Sequence, residues 1–545
     1  MNRSNRARLL IIGLDGATWE LLTPMIARGW LPNLARLVAG GAIAPLRSTI
    51  PPLTAPAWAS FMTGLNPGRH GVFAFQRSLN RDLERAYVNA TAILGPLLWE
   101  DLNRHGLTVG VLNVPLTYPL RPVDGWAVSG MLTPSETSDF TWPVELADAL
   151  RGRGYTIDLR VLALERAYRR PEQRLALVED LRRVLLERQA ALEEVLLPRG
   201  GDAIMVVYET PDRLQHWTWS YIVDLLSEAP FERTPIHAAV EAAYRSLDEC
   251  IGRTLAAVAG PQTAVFMLSD HGFGPRRTLI HVDEWLAGQG LLRYAGGKAG
   301  FRKLMKPYMN RLKRLITRQL LRQGRRAFAV SHVIDWQRTR AYSGVSSEYA
   351  IYVNRAGREP FGIVPAGEAY EAVRRQIKAG LTDLADPRTG QRVVRAVYDR
   401  ETAYSGPYVE QAPDIVYELA PGYEPSSEVS AGGVFEDVEA EAEGMHQPDG
   451  IFLAYGPHVR RSAVAIKPGL ADLAPTILYA LGLPVPDGLD GRVLMEIFRP
   501  AYCARHPVIF EQTAQAAAAD AGNLDLSADD EALIIERLTA LGYLR

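Results

Sequence analysis

Three short, almost wholly apolar runs constrain the fold more than anything else in the chain: Leu9–Leu14 (LLIIGL), Ala203–Tyr208 (AIMVVY) and Ala264–Leu268 (AVFML). Runs of this kind, bounded by turn-forming residues, read as strands buried on both faces of a parallel sheet. Helical patterns lie between them. Residues 31–39 read as a helix after Pro32, and residues 98–113 as a helix, a Gly turn and a strand. A strand is expected at Trp126–Val128. Residues 172–197 alternate charge and leucine at helical spacing and end in Pro198-Arg199-Gly200-Gly201. Residues 239–258 and 471–481 read as helices, residues from Ile451 as a strand, and residues 527–544 as a capped C-terminal helix. Helices alternating with apolar strands predict an α/β sandwich around a central, mostly parallel sheet.

The strand ends carry the chemistry. Asp15 ends LLIIGL, Asp212 and His216 follow AIMVVY in YETPDRLQHW, and Asp270 and His271 end AVFMLS in SDHGFG. Ligands of open α/β sheets bind beyond the carboxyl ends of the strands, so these groups are expected on one rim. His446, in EGMHQPDGIFLAYG, precedes its strand and is a further candidate. Each has a plainer reading. Asp15-Gly16 is an ordinary strand-to-turn signal, Asp212 and His216 could form an exposed helix pair, and Asp-His-Gly could be a turn with a helix cap. Of the 10 histidines, His70, His105, His237, His332, His458 and His506 read as surface or packing residues. The coincidence of Asp15, Asp212, His216, Asp270, His271 and His446 where one fold would bring them together favours function.

The stretch STIPPLTAPAWASFMTGLNPGRHG (48–71) holds Thr54 between Pro51, Pro52 and Pro56. Each proline fixes its own φ and restricts the residue before it, giving a stiff turn that aims one hydroxyl. Helix-compatible residues follow up to Thr63-Gly64. Thr54 is therefore expected at or just before a helix N-terminus, which favours an anion such as phosphate. The plainer alternative is an ordinary N-cap.

Asp and His suit zinc, and carboxylate-rich sites also suit manganese. With Thr54 the candidates number seven, too many for one tetrahedral ion and suited to two. A pair of ions roughly 4 Å apart is the usual clamp for in-line phosphoryl displacement. Metal coordination would let the Thr54 hydroxyl lose its proton and attack phosphorus.

Taken together and in this order, GLDG, PPLTAPAWASFMTGLNPGRHG, YETPDRLQH, SDHGFG and MHQPDGIFLAYGP resemble the motifs of the alkaline phosphatase superfamily. The branch most similar is that of type I phosphodiesterases and nucleotide pyrophosphatases. DLAPTILYALGLPVPDGLDGRVL also resembles the closing segment of these enzymes and of sulfatases. The resemblance covers residues 8–285 and 440–500. It implies that Asp15, Thr54, Asp270 and His271 hold one divalent ion and Asp212, His216 and His446 a second, most often zinc. It further implies a covalent phosphothreonine on Thr54, hydrolysed by water at the second ion, with phosphodiesters or phosphomonoesters as substrates. The chain departs from relatives within the superfamily. Sulfatases carry C/S-x-P-x-R, whereas Thr54-Ala55-Pro56-Ala57-Trp58 lacks the arginine. Cofactor-independent phosphoglycerate mutases use a serine. Nucleotide pyrophosphatases have an asparagine where this chain has Phe75.

The expected organisation is a catalytic core of residues 1–289 and 431–545 with an inserted cap or substrate-specificity domain at 290–430. Residues 298–326 are rich in Lys and Arg and contain no acid, with Met305, Met309, Leu312, Ile316 and Leu320 on one helical face. This basic helix, near 306–326, is read as a cap-domain helix packed by its apolar stripe. Contact with an anionic membrane surface is the alternative. A net charge of -2 gives no general pull toward nucleic acid. Cys250 and Cys503 are too few for a disulfide framework. The basic and then apolar N-terminus breaks at Asp15-Gly16 without a small-residue cleavage site, so it reads as the first core strand. A cytoplasmic location is the expectation. The expected function is two-metal hydrolysis of a small-molecule phosphate ester. The alternative is a catalytically inactive phosphate-ester-binding or regulatory protein on the same scaffold.

Overall fold

The computed structural model describes residues 7–77, 86–135, 137–159, 170–295, 334–344, 348–428, 430, 433–438, 443–463, 465–512, 530, 531 and 533–535. The basic stretch 298–326 and most of 527–544 lie outside them. The chain divides into two compact units. The first takes the described residues of Met1–Val72, Asn89–Pro275 and Ala442–Leu524, and the second those of Phe73–Val88, Arg276–Glu441 and Asp525–Arg545.

A 9-stranded sheet organises the first unit. Its strands are β1 (Leu9–Leu14), β2 (Ala42–Arg47), β3 (Val109–Val114), β4 (Gly125–Ser129), β5 (Thr141–Trp142), β6 (Ala203–Tyr208) and β7 (Ala264–Leu268). A hairpin arm follows in β8 (Gly272–Pro275) and β9 (Gly444–Gln447), after which β10 (Asp449–Tyr455) and β11 (Ser462–Ala463) return to the sheet. The order is β11-β2-β10-β7-β1-β6-β3-β4-β5. β1 lies between β6 and β7 and is parallel to both, with Leu9 opposite Ala203 and Ala264. β3 and β4 continue the parallel set, while β10 and β5 run antiparallel to their neighbours. Every residue of β1, β3 and β6 is buried. That is why these runs read as apolar without alternation: helices leave neither face to water.

Three of the helices, Pro171–Ala191, Thr210–Leu226 and Pro235–Val258, pack on one another. The Pro32–Gly40 helix is tied to the last of these by Asp248, whose carboxylate accepts from the backbone N–H of Asn33 and of Leu34, each at 2.9 Å. The Thr54–Thr63 helix is buried along all of its 10 residues, which accords with a mostly apolar sequence whose polar members are the hydroxyls of Thr54, Ser60 and Thr63. It ends where Gly64 takes φ 67°, a left-handed C-cap that a side chain would strain. Among the described residues no helix is long and apolar enough to cross a membrane.

In the second unit, an antiparallel four-stranded sheet (Ala341–Ser343, Ala350–Val353, Ile415–Leu419, Val394–Asp399) carries the Glu368–Thr382 helix. Tyr370 of that helix lies within 5.2 Å of the Arg374 guanidinium and 6.0 Å of that of Arg400. Arg358 and Arg400 both pair with the fully buried Asp414.

His70 is a packing residue of the first unit. Its Nδ1 accepts the Val72 N–H at 3.2 Å, so Nε2 carries the proton and donates to Ser60 Oγ at 2.9 Å. Burial lowers its pKa to about 3. The unfolded chain, with a histidine near 6.5, binds more protons than the folded one between these values. The stability contributed by neutral His70 is therefore intact above about pH 6.5 and is lost as the pH falls toward 3, by up to about 1.4 kcal/mol per unit. Urea unfolding at pH 7 and pH 5 should show this slope in the parent and a shallower one in His70→Asn. Equal slopes would contradict it.

Candidate active site

The site grows from three adjacent strand ends. Because β6, β1 and β7 are neighbours, the residues following them emerge side by side. Asp15 follows β1, Asp270 and His271 follow β7, and Asp212 and His216 lie one helical turn apart in the helix after β6. All five are buried, so the exposed-pair reading of Asp212 and His216 does not describe them. The residues after Asp270-His271 form a strand, β8, and not a helix cap. β9 pairs antiparallel with β8, placing His446 opposite Phe273 and returning it to His271. His446 thus sits on a strand of its own, and its ring stacks on that of His271 with centroids 3.6 Å apart.

Gly16 allows the close approach. Its φ is +66°, and a Cβ there would lie 3.0 Å from the Asp212 Cα. Its N–H donates to Asp270 Oδ1 at 3.1 Å, and its carbonyl accepts from Gln215 Nε2 at 3.0 Å. One residue therefore ties the β1, β6 and β7 ends together.

Two groups of potential metal ligands result: Asp15, Asp270 and His271, and Asp212, His216 and His446. Within each group the ligand atoms lie within 4.8 Å of one another. In the first, His271 Nε2 is 3.2 Å from Asp270 Oδ2 and 3.8 Å from Asp15 Oδ1. In the second, Asp212 Oδ1 is 3.3 Å from His446 Nε2 and 3.5 Å from His216 Nε2. The same oxygen is 3.9 Å from His271 Nε2, so the groups adjoin. Thr54 Oγ1 is 3.3 Å from His271 Nε2. Thr54 is the first residue of its helix, and Leu53 is the N-cap, in extended backbone. The hydroxyl is therefore not used as a cap.

The donor chemistry fits cations. His271 Nδ1 lies 3.0 Å from the Gly272 carbonyl and His446 Nδ1 3.1 Å from the Pro52 carbonyl. A carbonyl only accepts, so each Nδ1 carries a proton, and in the neutral ring Nε2 offers a lone pair to the site. His216 Nε2 and His446 Nε2 face each other at 3.1 Å. Two lone pairs repel there unless a proton or a cation lies near. Asp15 Oδ1 and Asp270 Oδ2 are buried and accept no hydrogen bond from any described residue, an arrangement that costs free energy unless a cation offsets it.

The electrostatics agree. Burial, and then the charges of Asp270 and Asp212, push the Asp15 carboxyl well above the usual carboxylate range. Burial, aided by Asp212 and opposed by the Gly16 N–H, raises Asp270 to about 7. Asp212 goes the other way: burial would raise it, but His216, His446 and His271 together hold it below the ordinary value. Burial would lower His446, yet its hydrogen bond to Asp212 and the charges of Asp212 and Asp270 raise it. His271 is lowered by burial and by His446. At pH 6 the protein alone thus holds protons on Asp270 and His446 that metal ligands must give up. Adding Zn2+ or Mn2+ at pH 6 should release about one proton or more per chain. The ion should also raise the unfolding free energy, by about 2.7 kcal/mol at a hundredfold excess over Kd. Calorimetry in two buffers of different ionisation enthalpy, with a thermal melt, measures both. Binding without proton release would contradict these protonation states.

Sequence reasoning missed part of the surroundings. Trp58 donates from Nε1 to Asp15 Oδ2 at 3.2 Å. It is four residues past Thr54, on the same helical face, so the i,i+4 spacing could have found it. Phe273 meets the His216 ring edge-to-face at 4.8 Å and stacks on Trp219 at 6.1 Å. Its place in SDHGFG was the available signal.

A family model for type I phosphodiesterase / nucleotide pyrophosphatase matches residues 9–449. The chain is similar in structure to phosphonoacetate hydrolase from Sinorhizobium meliloti 1021 in complex with phosphonoformate. The identity is 17% and the TM-score 0.53, over 88% of this chain and 95% of that one. Murine ectonucleotide pyrophosphatase / phosphodiesterase 5 aligns at 13% identity and a TM-score of 0.46, over 88% and 95%. No curated protein matches by sequence. At 17% identity the hydrolase speaks for the fold, an alkaline-phosphatase-like α/β architecture. The family match, which takes in β1, the Thr54 helix and the ends of β6 and β7, speaks for more: this chain belongs to the type I phosphodiesterase / nucleotide pyrophosphatase family.

Proposed function

We propose that the protein is a metal-dependent hydrolase of small-molecule phosphate esters, diesters or monoesters, with Thr54 as nucleophile. Asp15, Thr54, Asp270 and His271 would hold one divalent cation, and Asp212, His216 and His446 the other. Three imidazoles among these ligands favour zinc, with manganese as the alternative. The observation that carries this reading is the Thr54 hydroxyl, buried at a helix start and 3.3 Å from His271 Nε2. When bound, the cations supply positive charge that favours the alkoxide and neutralises the phosphoryl oxygens.

The chain's own residues do the rest. The Thr54 helix points its first N–H groups toward the incoming phosphate, where the dipole favours negative charge. The prolines around Thr54 limit the backbone to one aim, so little orientational freedom is lost at reaction. Thr54 Oγ forms a bond to phosphorus as the ester oxygen leaves with a proton. A water then adds to the phosphothreonine, and Thr54 recovers its proton as the phosphate departs. The Gly272 and Pro52 carbonyls hold His271 and His446 in one ring orientation throughout.

The test uses zinc- or manganese-loaded protein with bis-p-nitrophenyl phosphate and p-nitrophenyl phosphate. Turnover that is lost on chelation, and phosphate trapped on Thr54 after acid quench, is the expected result. Tight phosphate-ester binding with no turnover under either metal would instead indicate a binding or regulatory protein.

A further inference from the structure

We propose that Trp58 is the positioning residue for Asp15, joining the nucleophile's helix to the first cation's ligand as one rigid piece. This rests on the two-metal reading above. Thr54 and Trp58 are i and i+4 of one buried helix, so they share a face. The Trp58 Nε1–H donates to Asp15 Oδ2 at 3.2 Å. That bond engages one carboxylate oxygen and leaves the other, Oδ1, buried and without a hydrogen bond, 3.8 Å from His271 Nε2. The indole thereby fixes which oxygen is turned to the site.

A second observation shows that the indole has a built seat. Gly13 and Asp15 are two residues apart on and just beyond β1, and so project to the same side of the chain. A Cβ on Gly13 would lie 2.6 Å from the Trp58 ring and 2.8 Å from Val207. The glycine is the space in which the ring lies, and the ring runs from there to the carboxylate. Trp58 is fully buried, so its N–H has no water to turn to. The hydrogen bond is made with little loss of freedom because the ring is already confined. Outer hydrogen bonds of this kind hold a ligating carboxylate in place and add tenfold to hundredfold in metal affinity.

Trp58→Phe keeps a ring in the Gly13 seat and removes the donor. With near-parent circular dichroism and melting temperature, it should still bind two ions, one of them about 10- to 100-fold more weakly. The decrease in kcat at limiting zinc should largely vanish at saturating zinc, with KM near that of the parent. A role in packing alone would not give this metal-dependent recovery. If Trp58→Phe folds and binds both ions with parent affinity, the proposal is wrong. It is equally wrong if both sites weaken together with a lowered melting temperature. Should the variant not fold, the parent labelled with 15N-tryptophan decides: one of its ten indole N–H signals must move with the first zinc equivalent. No movement through saturation overturns the proposal. A parent that binds no divalent ion removes the two-metal reading itself, and this inference with it, which the variant alone would not do.

Discussion

Thr54→Ala should lower turnover of phosphate esters by roughly 10^3-fold or more, the usual consequence of deleting a nucleophile whose partners remain. The substitution removes Oγ1 and its 3.3 Å contact to His271 Nε2. It leaves a residue of high helix propensity at the start of a buried helix. The cap geometry is untouched, because the N-cap is Leu53 and not Thr54. Stability and the thermal response to zinc should therefore stay close to those of the parent. Thr54→Ser keeps the oxygen but loses the methyl group that helps fix χ1. Its activity should lie between the two, and acid-quenched protein should carry the phosphate on residue 54. Undiminished hydrolysis of both p-nitrophenyl esters by Thr54→Ala would remove the nucleophile from the mechanism.

The largest stability effect is expected at Arg213, the residue after Asp212. Its guanidinium pairs with Asp158 and, at 3.0 Å, with Glu209 Oε2. Arg188 reaches the same Glu209 oxygen at 2.9 Å and donates to the Thr156 carbonyl at 3.0 Å. Arg213, Asp158 and Glu209 are no more than 4% exposed at their side chains. Removing one member of such a set strands charge in low dielectric. Arg213→Met should cost roughly 3–5 kcal/mol in urea unfolding. Arg188 still faces Glu209, so most of the loss falls on Asp158. Adding Asp158→Asn to Arg213→Met should return about 1–2 kcal/mol, a coupling that a double-mutant cycle resolves. A loss below about 1 kcal/mol for Arg213→Met would mean that the surrounding polar groups suffice without the guanidinium. Because the network grips the first turn of the helix carrying Asp212 and His216, a loosened variant should also need more zinc for full activity.

The sequence by itself determined the local facts. The runs at 9–14, 203–208 and 264–268 are strands with those bounds, because an apolar stretch of this length must be covered on both faces. Proline and glycine mark the Thr54 helix at both ends, where fixed φ and left-handed φ are required. The kinds of side chain able to bind cations, and their order, were legible too. That the strand ends share one rim was an expectation too, but which of those ends adjoin was not legible. Nothing periodic in the chain encodes that β1 lies between β6 and β7, yet that order alone brings Asp15, Asp212 and Asp270 to one place. His446 is 230 residues from His216 and meets it only because β9 turns back along β8. The sequence reading set His70 apart from His271, and the tertiary structure supplies a physical difference between them. His70 and His271 are equally buried, but one donates to a serine and the other turns Nε2 toward buried carboxylates. Patterning reports what a residue needs to be covered by, which is local. A site depends on which distant carbonyl, indole or carboxylate does the covering, and only the packed sheet settles that.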